Sequence, residues 1–264
     1  MQFFEDTLAK YDFKNIEFVG YYWYCESVYT GDDAYSLVTD LSHKVHERGY
    51  DFFWIPYYCA AGFTSWDALG FDIACMQPNY VFDATVPYSR LESAAQLTEM
   101  YGMGIEIEIS EKSFTDATLY RKYLEYLAGG EIYGYMNDCV HMYYQDFLCY
   151  YKACNSTDVS LRLIYDYTYQ FIKGTLNVYP DDAENLTFNC SSGTVLSAAL
   201  AENVPEYVEY SICVGPEHGT VTINEDGSFV YYPEEGYTGT VTFTYVYNEC
   251  LCDSAPATVT LNIG

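Results

Sequence analysis

Basic residues are scarce in this chain of 264 residues. It has 11 Lys and Arg against 38 Asp and Glu, a formal net charge of −27. Such a surface repels phosphate backbones, so nucleic acid is not an expected partner. The scarcity is uneven. All eleven Lys and Arg lie at or before Lys173, among 25 acids, and from Val178 onward there are 13 acids and no Lys or Arg. That shift marks a boundary. Other signals are missing too. No apolar run approaches a membrane span. The opening MQFFEDTLAKYDF has neither a basic n-region nor an apolar h-region, so it is not a signal peptide. No G-x-G-x-x-G follows a strand, no phosphate loop occurs, and G-x-S-x-G is absent. No cofactor is expected.

Ten cysteines are present without a repeated spacing. In a chain this long they do not form a small disulfide scaffold, and buried thiols are the default. Cys250 and Cys252 form a C-x-C pair, a weak pattern for a metal or a strained disulfide. His43 and His46 stand three apart on a predicted helix, but a third ligand cannot be placed, so no metal site is expected.

What the chain has in abundance is tyrosine, 32 residues, within a composition that is 50% hydrophobic. Tyrosine buries a ring and keeps a polar handle, which suits half-wet, sugar-stacking surfaces as well as ordinary packing. The first part alternates strand and helix patterns. Strands are predicted at IEFVGYYW (16–23), FFWIPYY from Phe52, FDIACM from Phe71, GIEIEIS (104–110) and EIYGYM (131–136). Helices are predicted over Asp33–Glu47, from Pro87 to Gly102, from Ser113 to a stop at Gly129-Gly130, around Asp138–Lys152 and over Asp158–Lys173. Strands alternating with helices argue for a parallel sheet covered by helices. From about Val178, VEYSICV, GTVTINEDGSFVYYP, GTVTFTYVY and ATVTLNIG alternate apolar and polar residues between Gly, Asn, Asp and Pro, the pattern of a β-sandwich.

The stretch GMGIEIEIS sets the chemical question. Alternation puts Glu106 and Glu108 on one face of a strand and the isoleucines on the other. A carboxylate there is costly unless it is paired or faces a wet cleft. Glu108 lies nearer the strand's C-terminal end and is the favoured nucleophile of the two, with Glu106 a deeper partner. The alternative is that both are structural, bonded to a neighbouring Arg or Tyr.

Two resemblances add to this. The segment GPEHGTVTINEDGSFVYYPEEGYTGTVTFTYVYNE, followed by SAPATVTLNI, resembles bacterial cadherin-like, Ig-like repeats, which serve as spacers or adhesion units. The elements GYYWYCES, VHERGYDFFWIPYYCAAG, LGFDIACMQPNYVF, GMGIEIEI and the later GYM resemble an uncharacterised bacterial family with a glycosidase-like (β/α) barrel. The resemblance implies an α/β plus all-β chain. Residues 1–177 would be the C-terminal strands of a TIM-type barrel, and residues 178–264 a cadherin-like or Ig-like sandwich. The chain would then be part of a longer extracellular or cell-surface protein that carries further modules. The strands would be the fourth to eighth of the barrel, placing Glu26 after the fourth and Glu106 and Glu108 on the seventh. Those are the positions of the acid/base and nucleophile in many retaining glycosidases.

Side chains at the strand ends complete the expected site. Trp23, Trp54, Tyr57, Tyr58 and Tyr80 offer rings to a sugar, and Gln77 and Asn79 offer amides to hydroxyls. The expected partner is a polysaccharide or other glycan, and the expected activity is two-carboxylate hydrolysis. A non-catalytic glycan-binding or surface protein, or an inactive barrel fragment, are the alternatives.

Overall fold

In the computed structural model the described residues are 1–11, 13–29, 31, 33–202, 204, 208–249 and 251–264. Cys250, one half of the C-x-C pair, lies outside them. Two compact units divide the chain. The first is Met1–Asn79 with Ser93–Glu106 and Cys139–Tyr143; the second is Tyr80–Glu92 with Ile107–Asp138 and Tyr144–Gly264.

The alternating part runs α1 (Gln2–Leu8), β1 (Gly20–Trp23), α2 (Asp33–His46), β2 (Asp51–Trp54), β3 (Ile73–Met76), α3 (Ser89–Tyr101), β4 (Gly104–Ile109), α4 (Ala117–Ile132), α5 (Tyr135–Asp138), β5 (His141–Gln145), α6 (Cys149–Cys154) and α7 (Val159–Ile172). The five strands form one sheet in sequential order, and β1 through β4 pair in parallel. This is the helix-covered parallel sheet that the alternation implies.

In the first unit the helix side of the sheet is a dry aromatic layer. Phe52 and Trp54 of β2 pack with Val38 and Val45 of α2 and with Phe71. Trp54 stacks on Phe71 at 5.2 Å. The helix buries Val38, Ser42 and Val45, whereas Leu37, the first residue of the four-residue Leu37-Leu41-Val45 stripe in the sequence, is exposed. The helix ends near Gly49, which adopts φ 77°, as the sequence predicts.

Two expectations are corrected. EIYGYM is not a strand, because α4 continues through Gly129 and Gly130 to Ile132 and α5 begins at Tyr135. A Cβ on Gly130 would lie 2.2 Å from the Phe171 ring, so this glycine admits α7 rather than stopping α4. The stretch around Asp138–Lys152 is not one helix. Its first half is β5, which takes the free edge of β4 through a bond from the Ile105 amide to the Val140 carbonyl. The second half is the short α6. By contrast, Asp158 caps α7 through the Leu161 amide, as the pattern at that helix start implies.

In the second unit, β6 (Leu186–Cys190), β7 (Leu196–Ala199), β8 (Glu209–Val214), β9 (Thr220–Ile223), β10 (Ser228–Tyr232), β11 (Gly239–Asn248) and β12 (Ala257–Ile263) form two sheets, β7-β10-β9 and β6-β12-β11-β8. Period-two alternation fills the space between them with Phe229, Tyr231, Phe243, Val259 and Leu261. Phe229 meets Phe243 edge-on at 5.4 Å. The Asn224–Gly227 segment turns the hairpin between β9 and β10, with the Gly227 amide on the Asn224 carbonyl at 3.0 Å.

Candidate functional site

Register decides what faces the other side of the sheet. Tyr22 pairs with Phe53, Phe53 with Ile73, and Cys75 with Gly104. Paired residues of parallel strands share a face, and alternate residues along a strand return to it. Tyr22, Phe53, Ile73, Cys75 and Glu106 therefore line one face. Trp23, Trp54, Met76 and the isoleucines of β4 line the other. Glu108, two residues past Glu106, points to the same side of β4 as Glu106.

In the first unit this face joins aromatic rings to acids. Tyr22 stacks on Phe53 at 5.4 Å, and Tyr24 meets Tyr22 edge-on at 6.5 Å. The Tyr22 phenol is pushed up to about 12, first by burial and then by the charges of Glu106 and Glu26. Glu106 and Glu26 thus act on one phenol, from β4 and from the segment after β1. Glu26 is exposed, whereas Glu106 is buried, at 6% exposure. Beside Glu106 sits the buried Cys75 thiol, 3.7 Å from the Val140 carbonyl. Burial first, and then Cys139 and Glu106, push that thiol up to about 12. The thiol is a neutral neighbour, not a nucleophile, at ordinary pH.

Glu108 has a different setting in the second unit. At 1% exposure it accepts a hydrogen bond from Tyr126 at 2.6 Å. Tyr126 is itself fixed, its carbonyl accepting from Tyr135. Nearby on the chain, Tyr80 donates to Glu125, and burial drives its phenol upward. The buried Lys122 ammonium lies 3.7 Å from the centre of the Tyr80 ring and donates to the Tyr80 and Val86 carbonyls. Its pKa is lowered, chiefly by burial.

The remaining expected residues divide by exposure. Tyr57 is exposed, Tyr58 and Trp23 are half-buried, and Tyr57 bridges Gln77. The Gln77 amide donates to the Ile55 carbonyl at 2.8 Å. Asn79 is half-buried and adopts φ 52°, an uncommon backbone for a non-glycine residue. Trp54 and Tyr80 are buried at 0% and 2%, and the Trp54 indole donates to the Cys25 carbonyl. Those two rings hold the scaffold. His46 bonds to Asp72 at 2.8 Å. Among the described residues no group of three or more His, Cys, Asp or Glu could hold a metal ion, and no helix is long and apolar enough to cross a membrane. The described cysteines are thiols.

Sequence reading missed Tyr22, Phe53, Cys75 and Tyr126. The first two carry a signal in hindsight, since GYYW and DFFW alternate. Which half of each alternation faces the acids depends on pairing that no single strand encodes.

Comparison with known proteins gives two family matches and several distant solved structures. Residues 1–170 match the family described as Domain of unknown function (DUF4855), and residues 173–262 match the Bacterial Ig domain. No curated protein matches. One solved structure, described as a putative alpha-galactosidase from Bacteroides fragilis, is similar over 34% of this chain and 19% of its own, with 14% identity and a TM-score of 0.25. A second, a cell-surface-expressed multi-modular chitinase from Paenibacillus sp., is similar over 87% of this chain and 29% of its own, with 11% identity and a TM-score of 0.35. The chain thus spans less than a third of the length of either. The chain belongs to the DUF4855 family and carries a bacterial Ig domain after that region.

Proposed function

We propose that the acid-bearing face of the sheet is a glycan site that works by two-carboxylate hydrolysis. The observation that supports this reading is the register, which sets buried Glu106 on the same face as the stacked Tyr22 and Phe53 rings, with exposed Glu26 just beyond the end of β1. Glycosidic cleavage needs one protonated carboxyl to serve the leaving oxygen and one ionised carboxylate to attack or to activate water. Exposed Glu26 is the proposed acid/base, and Glu106 the proposed nucleophile or base. Glu108, the nucleophile favoured from the sequence, is held by the Tyr126 phenol in the second unit and takes no role in this assignment. A neutral Tyr22 can donate to whichever carboxylate is ionised, which stabilises that charge state. Tyr24, Phe53, Tyr57 and Tyr58 offer ring surface, and Gln77 and Asn79 offer amides to sugar hydroxyls, whereas Trp23 packs against the aromatic layer on the other face.

In this reading the five strands are the C-terminal part of a (β/α) TIM-type barrel covering residues 1–177, with the site at the strands' C-terminal ends. Residues 178–264 form the Ig-like or cadherin-like spacer of an extracellular or cell-surface protein. Non-catalytic glycan binding is the second reading, favoured by the deep burial of Glu106.

The test is release of reducing ends from a panel of neutral and amino-sugar oligomers. Glu26→Gln and Glu106→Gln should each lower the rate by roughly 10²–10⁴. Binding without release by the parent protein would favour the second reading. Unchanged release in both variants would refute the assignment.

A further inference from the structure

None of the eleven Lys and Arg lies on strands β1 to β5, nor in the stretches 19–29, 50–79, 102–111 and 139–146 that contain them and the residues beyond their C-terminal ends. In the first unit the cations are Lys10 and Lys14, which precede β1, and Lys44 and Arg48 at the end of α2 that feeds β2. Arg48 is already paired with Glu5 at 2.7 Å. Lys112, the next cation after β4, belongs to the second unit. The face itself presents Tyr22, Tyr24 and Phe53 beside Glu26 and Glu106. Glu26 is exposed and makes no ion pair among the described residues.

Resting on the glycan-site reading, we infer that this face selects a cationic, amine-bearing sugar chain, a deacetylated hexosamine oligomer, over uronate or sulfated chains. An ammonium gains twice here. Exposed Glu26 offers it a carboxylate, and the Tyr22 and Tyr24 rings offer electron-rich faces. A uronate set on the same rings would meet the charges of Glu26 and Glu106, and the strands and the stretches beyond them carry no Lys or Arg to receive it. Recognition of anionic groups normally relies on Arg or Lys, so their absence from every strand end is a selective feature and not only a reflection of the acidic composition.

The experiment is calorimetric titration of the whole chain with three tetrasaccharides, of glucosamine, of N-acetylglucosamine and of galacturonate, in low and in physiological salt. The glucosamine tetramer should bind about tenfold more tightly than the N-acetyl tetramer, combining one cation–ring contact and one ion pair. Higher salt should narrow that gap, and galacturonate should not bind. Glu26→Gln should abolish the preference, whereas Glu234→Gln, an acid of the sandwich, should leave it in place. A preference that survives Glu26→Gln would mark general attraction to an acidic surface and would overturn the inference. So would equal affinity for the amine and acetyl forms, or binding of galacturonate, although the glycan site would then stand. Failure of all three tetramers to bind would refute the glycan-site reading and the inference with it.

Discussion

Glu106 and Glu108 stand two residues apart on β4 and share one side of it, yet they have different surroundings. Glu106 borders Cys75 and acts on Tyr22, while Glu108 is clasped by a buried phenol. Tyr126→Phe removes a 2.6 Å hydrogen-bond donor from a buried carboxylate, so we expect a loss of about 1–3 kcal/mol in urea unfolding. Cys75 gives a pH signature. Its thiol lies at about 12 in the folded chain against 9.0 for a free thiol. The folded state therefore keeps a proton that the unfolded state releases above pH 9. The stabilisation is complete below pH 9 and is lost as pH rises toward 12. Per pH unit the effect is at most about 1.4 kcal/mol. Cys75→Ala should make the decline of the unfolding midpoint between pH 9 and 10 shallower than in the parent, and an identical decline would show that the thiol is not shielded as described.

At the scale of elements, legibility followed the local pattern. GIEIEI alternates strictly and is a strand, and the four-residue spacing of Leu37, Leu41 and Val45 is a helix. EIYGYM has the same look as a strand but follows a helix whose two glycines are packing sites, so a stop signal was overridden by tertiary contact. HMYYQ has no helical stripe and becomes a strand because an open edge is beside it. The acids of the site were legible as residues. The rings that face them were not, because a face is a property of paired strands. Gly104 shows how tight that pairing is. A Cβ there would fall 2.2 Å from the Val140 carbonyl oxygen and 2.5 Å from the Cys75 sulfur. Gly104→Ala should destabilise the chain by about 1–3 kcal/mol, as overpacking does. Adding Cys75→Ala should restore only part of the loss, because the carbonyl clash remains. Full restoration in the double variant would place the strain at the sulfur alone.

For the whole molecule the dominant quantity is charge. A net −27 over 264 residues opposes compaction by self-repulsion, with few ion pairs among the described residues to offset it and most of those on the surface. Raising sodium chloride from low to physiological strength should therefore raise the thermal midpoint, and a midpoint that falls would show that the surface pairs outweigh the repulsion. The same charge pattern, with cations absent from the strand ends, underlies the proposed choice of ligand.

The central claim is that a sugar chain lies on the face formed by Tyr22, Phe53, Glu26 and Glu106. A crystal structure of the Glu106→Gln variant with a bound oligosaccharide tests it most directly. We expect a sugar ring on Tyr22 and a glycosidic oxygen between residues 26 and 106. A carboxyl separation near 5–5.5 Å would specify retention, and one of about 6.5–9.5 Å inversion. An oligosaccharide found elsewhere, with residue 106 sealed from it, would contradict the account.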